Sequence, residues 1–500
     1  MSIFLANHCD IYNQQLSLRL IELGLPVSTI ISTKLDFFKH KHLPRNLKIF
    51  DIYDFYYREK VLKLNEKSRS CLSQSDIKQY LETESLFLKI SDRLTYKPIS
   101  THEKLSLYYE LLLFWLTYFR NNQIKLVVFS QTPHTGFDNV IYDIAKKRQI
   151  ATLVVTPTSI KDRVMLREDF LKELKVPKGF LKNATHKELI NLVDPSLLND
   201  SMSDGAWTTI AKGINSSALK NNQKFVIPRV ALRVLTNLVR QPAKHILPLF
   251  RRSTSSGLVF NGFYSGLQEQ LLTVRYYLQK LELFNFYQSL SKRVALKQSY
   301  LFFPLHYQPE RTTMPEAEVF ENQLLALKII SKAIPDNWKI YVKEHPRQFA
   351  LNDIRTNLFR DKQYYLQLVK IPKIVLVDIN IDSILLQSKA KLTASIQGTS
   401  GWESLLMHKP TIIFANAWYA ACQSSYQVDS VANCSAAIKK CSSVLPNKVE
   451  RDLLKFLIYA KKRLIVSAFY HQPAALSQVP YTTLLNNLAV AIKRYYQKIS

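Results

Sequence analysis

Two short clusters carry the residue types that binding a phosphorylated ligand requires: Lys343-Glu344-His345-Pro346-Arg347 and Gly398-Thr399-Ser400-Gly401-Trp402-Glu403. In the first, an imidazole stands between two cations, and Pro346 biases His345 toward an extended backbone that aims its side chain. The second is a small-residue turn entering a helix, where backbone N–H groups form an anion site and Gly398 permits close approach. Thr399 and Ser400 add hydroxyls and a cap for the helix. Glu403, one turn in, is placed to accept the two hydroxyls of a ribose. Ser400 and Glu403 also have the S-x-x-E spacing of a capping box, a structural reading of the same residues. Lys343 and Arg347 would bring cationic charge to a leaving phosphate. Together the clusters point to a nucleotide or sugar-phosphate site.

Three further loops hold candidates. Phe303-Pro-Leu-His-Tyr-Gln-Pro-Glu-Arg311 offers His306, Gln308, Glu310 and Arg311, either to a ligand or to the backbone of a rigid connector. In Ser130-Gln-Thr-Pro-His-Thr-Gly-Phe-Asp138, His134 and Asp138 lie across a glycine turn. Both are candidates for acid, base or acceptor-orienting work, and Asp138 is equally suited to capping the next helix. His8, Cys9 and Asp10 follow the first apolar run. The sequence has no G-x-G-x-x-G, Walker loop, H-E-x-x-H or G-x-S-x-G. It also has no Asp-x-Asp pair, and no metal ligands are assigned. The expectation is metal-independent transfer without a cofactor, the leaving group being met by a helix dipole and cationic side chains.

These residues need rigid elements behind them. Trp338–Val342 and Ala390–Ala394 read as strands ending just before the two main clusters. Around them, residues 299–303, 374–377 and 411–414 read as further strands, alternating with helices at 317–333, 383–388 and from Trp402. Residues 2–6, 27–31, 126–129 and 150–155 form a first strand set, with helices at 13–23 and 139–148. Residues 46–120 and 160–210 read as mostly helical. Such alternation builds parallel sheets, with ligands at the carboxyl ends of the strands. The predicted fold class is α/β and GT-B-like: two Rossmann-like domains facing a cleft, with helical insertions. The expected divisions are 1–204 (acceptor domain), 205–298 (basic helical linker), 299–445 (nucleotide-sugar domain) and 446–500 (closing helices).

Five hundred residues exceed what one core holds, and 47% hydrophobic content suits folded domains. The five cysteines include no C-x-x-C pair, which argues against a disulfide framework or a zinc site. No signal peptide or membrane span is read, so a cytoplasmic location is expected. The net charge of +29 is unevenly spread. Residues 205–268 carry nine Lys and Arg and no acid, and 226–239 is apolar at helical spacing with Arg229, Arg233 and Arg240 interleaved. Such a segment suits an anionic membrane surface or an anionic acceptor, or is a solvated linker face. No nucleic-acid recognition module accompanies it, so nucleic acid is not an expected partner.

The motifs Phe303-Pro-Leu-His-Tyr-Gln-Pro-Glu310, Lys343-Glu-His-Pro346, Gly398-Thr-Ser-Gly-Trp-Glu403 and Lys409-Pro-Thr-Ile-Ile-Phe414 resemble the capsule polysaccharide biosynthesis family, bacterial enzymes related to the capsular Kdo transferases. Gln131-Thr-Pro-His-Thr-Gly-Phe-Asp138 adds to the likeness. The resemblance implies a glycosyltransferase of surface polysaccharide with a nucleotide-sugar donor, CMP-Kdo in the best-known members, and a glycan or glycolipid acceptor. It further implies that His345 and Pro346 bind the nucleotide and that Thr399 and Ser400 hold the donor phosphate. Rival readings are a CDP-polyol or glycerol phosphotransferase and a non-catalytic polysaccharide assembly or export protein. A soluble sugar-nucleotide epimerase would have no use for the basic segment.

Overall fold

The computed structural model describes residues 2–33, 35–39, 41–66, 70–94, 99–202, 266–350 and 359–500. The basic stretch 205–268 lies outside the described residues except for the first residues of helix Gly266–Leu290. Among the described residues, no helix is long and apolar enough to cross a membrane.

The first half is built on five parallel strands, β1 (Ser2–Ala6), β2 (Val27–Ser32), β3 (Lys48–Asp51), β4 (Ile124–Phe129) and β5 (Ala151–Pro157), in the order β3-β2-β1-β4-β5. β6 (Arg163–Arg167) joins antiparallel beside β5. The second half is a wholly parallel sheet of β7 (Tyr300–Pro304), β8 (Lys339–Lys343), β9 (Ile374–Leu376), β10 (Leu392–Ser395), β11 (Thr411–Ile413) and β12 (Ser425–Gln427). Its order is β12-β11-β10-β7-β8-β9. A short last strand, β13 (Leu464–Val466), returns to the first half and closes that sheet beside β6. The architecture is therefore α/β and GT-B-like, with two doubly wound sheets.

Helices cover both faces of each sheet, so the central strands are apolar throughout rather than alternating. Leu126, Val127, Val128 and Phe129 are all fully buried, as are Leu301 and Phe303. One face of the first sheet packs on helix Thr101–Asn121, whose Ser100 and Glu103 form a capping box. The other face packs on Ile11–Glu22 and on the last helix, Tyr481–Ile499. Asp10 caps Ile11–Glu22 at its start, and Gly24 at φ 78° ends it in the left-handed region that glycine tolerates. A junctional apolar cluster joins Met165, Leu189 and Leu197 of the first half to Trp402, Leu405 and Trp418 of the second. Helix Pro446–Lys461 contributes Leu453, Phe456 and Leu457 to the same cluster, stapling the halves together.

Several stretches differ from the sequence expectation, among them β12 and β13, neither of which the sequence pattern indicates. Residues 160–210 open with β6 before helices His186–Leu192 and Pro195–Met202. β6, lying between β5 and β13, begins and ends in arginine, so its polar ends hide its period. Residues 46–120 begin with β3, whose four residues are all at least partly exposed. The helix expected at 317–333 starts at Gln323, preceded by a 3-10 turn at Glu318–Glu321, because Asn322 caps it by accepting the Leu324 N–H.

Candidate functional site

In each sheet the strand order reverses between two neighbours whose connections run in opposite directions: β1 and β4 in the first half, β7 and β10 in the second. Ligands of open α/β sheets bind in the crevice beyond such points. The loops after all four of these strands carry sequence candidates. The two halves touch here, since Arg311 Nη1, after β7, donates to Thr132 Oγ1, after β4, at 3.1 Å.

After β10, the chain turns at Gly398 into helix Thr399–Leu406. Gly398, not Ser400, is the N-cap residue, and no side chain caps this helix start. The S-x-x-E pair is therefore not a capping box, because the helix begins before Ser400, which lies inside its first turn. Thr399 is exposed and Ser400 half-buried. The turn is held from outside the helix: Gly398 N donates to Ser395 Oγ at 2.9 Å, and Tyr419 Oη donates to the Gly398 carbonyl at 2.6 Å. A Cβ on Gly398 would sit 3.0 Å from His306 Cε1 and from Ser395 Oγ, and one on Gly401 would sit 2.1 Å from Tyr419 Oη. Both glycines are required by space. Glu403 is half-buried on the same helix, close enough to Tyr419 to help burial raise that phenol.

His306 supports this turn from β7. Its Nε2 lies 3.2 Å from Ser395 Oγ and accepts the Gln397 N–H at 3.5 Å, which leaves Nδ1 protonated toward Thr312 Oγ1 at 3.4 Å. Glu310 Oε1 is 4.0 Å from Nδ1. Burial nevertheless lowers the His306 pKa, so the contact joins a carboxylate to a neutral ring rather than forming an ion pair.

His345 follows β8 as the N-cap of a 3-10 turn, Pro346–Phe349, with Pro346 at its first position. Its Nδ1 accepts the Arg347 N–H at 3.1 Å. A backbone N–H can only donate, so the neutral ring carries its proton on Nε2. Burial, reinforced by His306, Arg347 and Lys343, pulls the His345 pKa down to about 3. At neutral pH His345 is thus a neutral donor through Nε2. The Arg347 guanidinium lies over the Tyr307 ring at 4.7 Å. Lys343 takes another direction: its Nζ donates to Ser383 Oγ at 2.9 Å and to the Ile381 carbonyl, and burial brings it down to about 8.

In the first half, Asp138 is fully buried. Its carboxylate accepts Thr135 N at 2.7 Å, His134 N at 3.1 Å and Asn7 Nδ2 at 3.2 Å, while burial raises its pKa. Asp138 therefore shapes the 133–136 loop and ties it to the end of β1. His134 is half-buried, and its Nδ1 donates to the Thr132 carbonyl at 2.7 Å, which puts the neutral ring's lone pair on Nε2. His8 is enclosed beneath Asn13 and Ser17, and burial lowers it to about 4.

The structure adds residues the motifs did not single out. Glu344, between Lys343 and His345, is fully enclosed and accepts Arg360 Nε at 3.0 Å and Tyr365 Oη at 2.9 Å. Arg360 Nη2 also donates to the His306 carbonyl at 3.2 Å, so one ion pair fixes the loops after β7 and β8 together. Arg360 stands sixteen positions beyond Glu344, and no spacing rule links them. Gln397 Nε2 donates to Glu316 Oε2 at 2.6 Å, bracing the loops after β10 and β7.

A family model described as "Capsule polysaccharide biosynthesis protein" matches residues 271–442. Over that stretch the second half of this chain is similar to the family. The family stretch spans β7 to β12 and includes His306, His345, Gly398 and Glu403, whereas His134 and Asp138 lie outside it. No curated protein matches the chain. Among solved structures, UDP-GlcNAc 2-epimerase from Methanocaldococcus jannaschii, in complex with UDP-GlcNAc and UDP, is 12% identical over 92% of this chain and 100% of that one, with a TM-score of 0.26. KpsC of Thermosulfurimonas dismutans, a beta Kdo 2,4 transferase, is 9% identical over 67% of this chain and 87% of that one, with a TM-score of 0.25. A trehalose-6-phosphate synthase is 12% identical over 95% and 98%, with a TM-score of 0.28.

Proposed function

We propose that this protein is a glycosyltransferase of capsular or surface polysaccharide biosynthesis, moving a sugar from a nucleotide donor to a glycan or glycolipid acceptor. The observation that carries the reading is the uncapped helix start at Thr399, set at the switch point of the family-matched sheet and braced from His306, Ser395 and Tyr419. The donor phosphate binds there, on the N–H groups and hydroxyls of Thr399 and Ser400, and the helix dipole takes up charge as the leaving group departs. His345 donates through Nε2 to the nucleotide, Arg347 supplies positive charge beside it, and Glu403 accepts from the ribose. His134 accepts the proton of the acceptor hydroxyl on Nε2 as the new C–O bond forms and the sugar–phosphate bond breaks. Asp138 orients the His134 loop. CMP-Kdo is the donor that the family likeness favours, and the transfer needs no metal ion.

The test is a thermal-shift panel with CMP, CDP, UDP, GDP and their sugar conjugates. Binding at a hundred times the dissociation constant should add about 2.7 kcal/mol. Stabilisation by CMP-Kdo supports this donor, and stabilisation by UDP-sugars alone replaces it. Silence toward every nucleotide removes the transferase reading and favours an assembly protein. We place the protein at the cytoplasmic face of the membrane, held by the basic segment 205–268 on anionic lipid. Reversing Arg229, Arg233 and Arg240 should release it from phosphatidylserine-containing vesicles and leave activity on a soluble acceptor intact. Retention on the vesicles would defeat this placement.

A further inference from the structure

The loop after β11 contains one side chain with no evident structural purpose. Both polar atoms of the Asn416 carboxamide are buried, yet neither has a hydrogen-bond partner among the described residues. A carboxamide offers two N–H donors and a two-lone-pair acceptor, and a folded protein seldom encloses such a group unused. Its surroundings are well ordered by hydrogen bonds. Ala415 N donates to the Ile396 carbonyl at 2.9 Å, which lays the end of β11 along the end of β10. Two residues after Asn416, Trp418 Nε1 donates to Ser159 Oγ of the first half at 3.3 Å, and Tyr419 anchors the Gly398 carbonyl. Asn416 thus lies on the strip of chain that runs from the phosphate turn to the opposite half.

The strand order indicates what the amide meets. Along the sheet the candidate loops follow in the order His345 after β8, His306 after β7, Gly398 after β10 and Asn416 after β11. Neighbouring strands are about 4.8 Å apart, so His345 and Asn416 flank the helix start, at roughly two strand spacings on one side and one on the other. A nucleotide sugar is itself linear: nucleoside, phosphate, sugar. With the phosphate on the helix start and the nucleoside toward His345, the sugar falls on the β11 side.

We propose that Asn416 is a specificity-determining residue that reads the transferred sugar, its carboxamide pairing with one hydrogen-bond donor and one acceptor on that ring. The inference rests on the nucleotide-sugar reading given above. It is tested with Asn416→Ala and Asn416→Leu, by calorimetric titration with CMP and CMP-Kdo and with UDP and UDP-GlcNAc. The expected result keeps the affinity for the bare nucleotide and weakens its sugar conjugate on the order of tenfold, or 1.4 kcal/mol. Unliganded Asn416→Leu should melt at or above the wild-type temperature, since the substitution removes an unpaired buried amide. Equal weakening of nucleotide and conjugate would overturn the proposal by assigning the amide to the nucleoside. Unchanged affinity for both, or a lower melting temperature with unchanged binding, would overturn it in favour of a packing role. A wild-type protein that binds none of the four ligands would overturn the nucleotide-sugar reading and this inference together, a result the variants alone cannot produce.

Discussion

The two switch points share one topology and differ in how each treats negative charge. In the first half, the loop after β4 encloses its own carboxyl group: Asp138 takes up the N–H groups of His134 and Thr135 and the Asn7 amide. In the second half, the turn after β10 leaves a helix start without any side-chain cap and braces it from behind with His306, Ser395 and Tyr419. A site that supplies its own carboxylate has no donors left for a phosphate, whereas an uncapped helix start has several. The histidines are opposed in the same way. His134 donates from Nδ1 to the Thr132 carbonyl, and His345 accepts the Arg347 N–H on Nδ1. On the proposed function, the first half receives a proton and the second holds an anion.

The largest test of that contrast is Asp138→Ala. It would leave three donors unpaired in a closed loop and should cost about 3 kcal/mol or more, read by chemical denaturation. Wild-type stability with lost turnover would instead make Asp138 a reacting group and dissolve the distinction between the halves. Next comes His134→Ala, which should lower kcat on the order of a hundredfold, about 2.7 kcal/mol in the barrier, with donor affinity unchanged. His345→Ala should do the reverse, raising the donor KM more than it lowers kcat. If the two variants show the same pattern, the division of labour is wrong.

Gly401→Ala should cost about 2 kcal/mol, because its Cβ would collide with Tyr419, and should weaken nucleotide binding as the turn shifts. A neutral effect would mean that Tyr419 yields easily and that the turn is less rigid than its contacts imply. The smallest effect is in pH. His8 and His345 have folded pKa values near 4 and 3, below the unfolded 6.5, so the unfolded chain binds more protons between those limits. Stability should therefore be full above about pH 6.5 and fall by about 1.4 kcal/mol per pH unit for each histidine as pH drops toward 4. His345→Gln should make that slope shallower.

Sequence period carried most of the frame, because buried parallel strands such as Leu126–Phe129 and Tyr300–Phe303 are continuous apolar runs. It did not show β3, β6, β12 or β13, which are short strands of three to five residues with exposed or charged positions. The motif residues His345, Gly398 and His134 do stand in loops at strand ends. What remained hidden was orientation. Lys343 lies next to the His345 motif, yet its ammonium goes to Ser383. Asp138 looks reactive from its neighbours and is enclosed. Arg360 and Tyr419 become visible only when the hydrogen bonds that reach Glu344 and Gly398 are traced. Asn416 belongs to no motif, and its unpaired state depends on every atom around it.

The return of the chain to its first sheet has a consequence for how the protein is made. β13 pairs with β6, yet about 300 residues separate them, so at 5–20 residues per second roughly 15–60 s pass on the ribosome before the partner exists. Through that interval the nascent amino-terminal half presents an open β6 edge and lacks helix Tyr481–Ile499 over Leu16 and Leu20. Synthesis order and assembly order therefore diverge, and the amino-terminal half is finished only once residues 464–499 have been made.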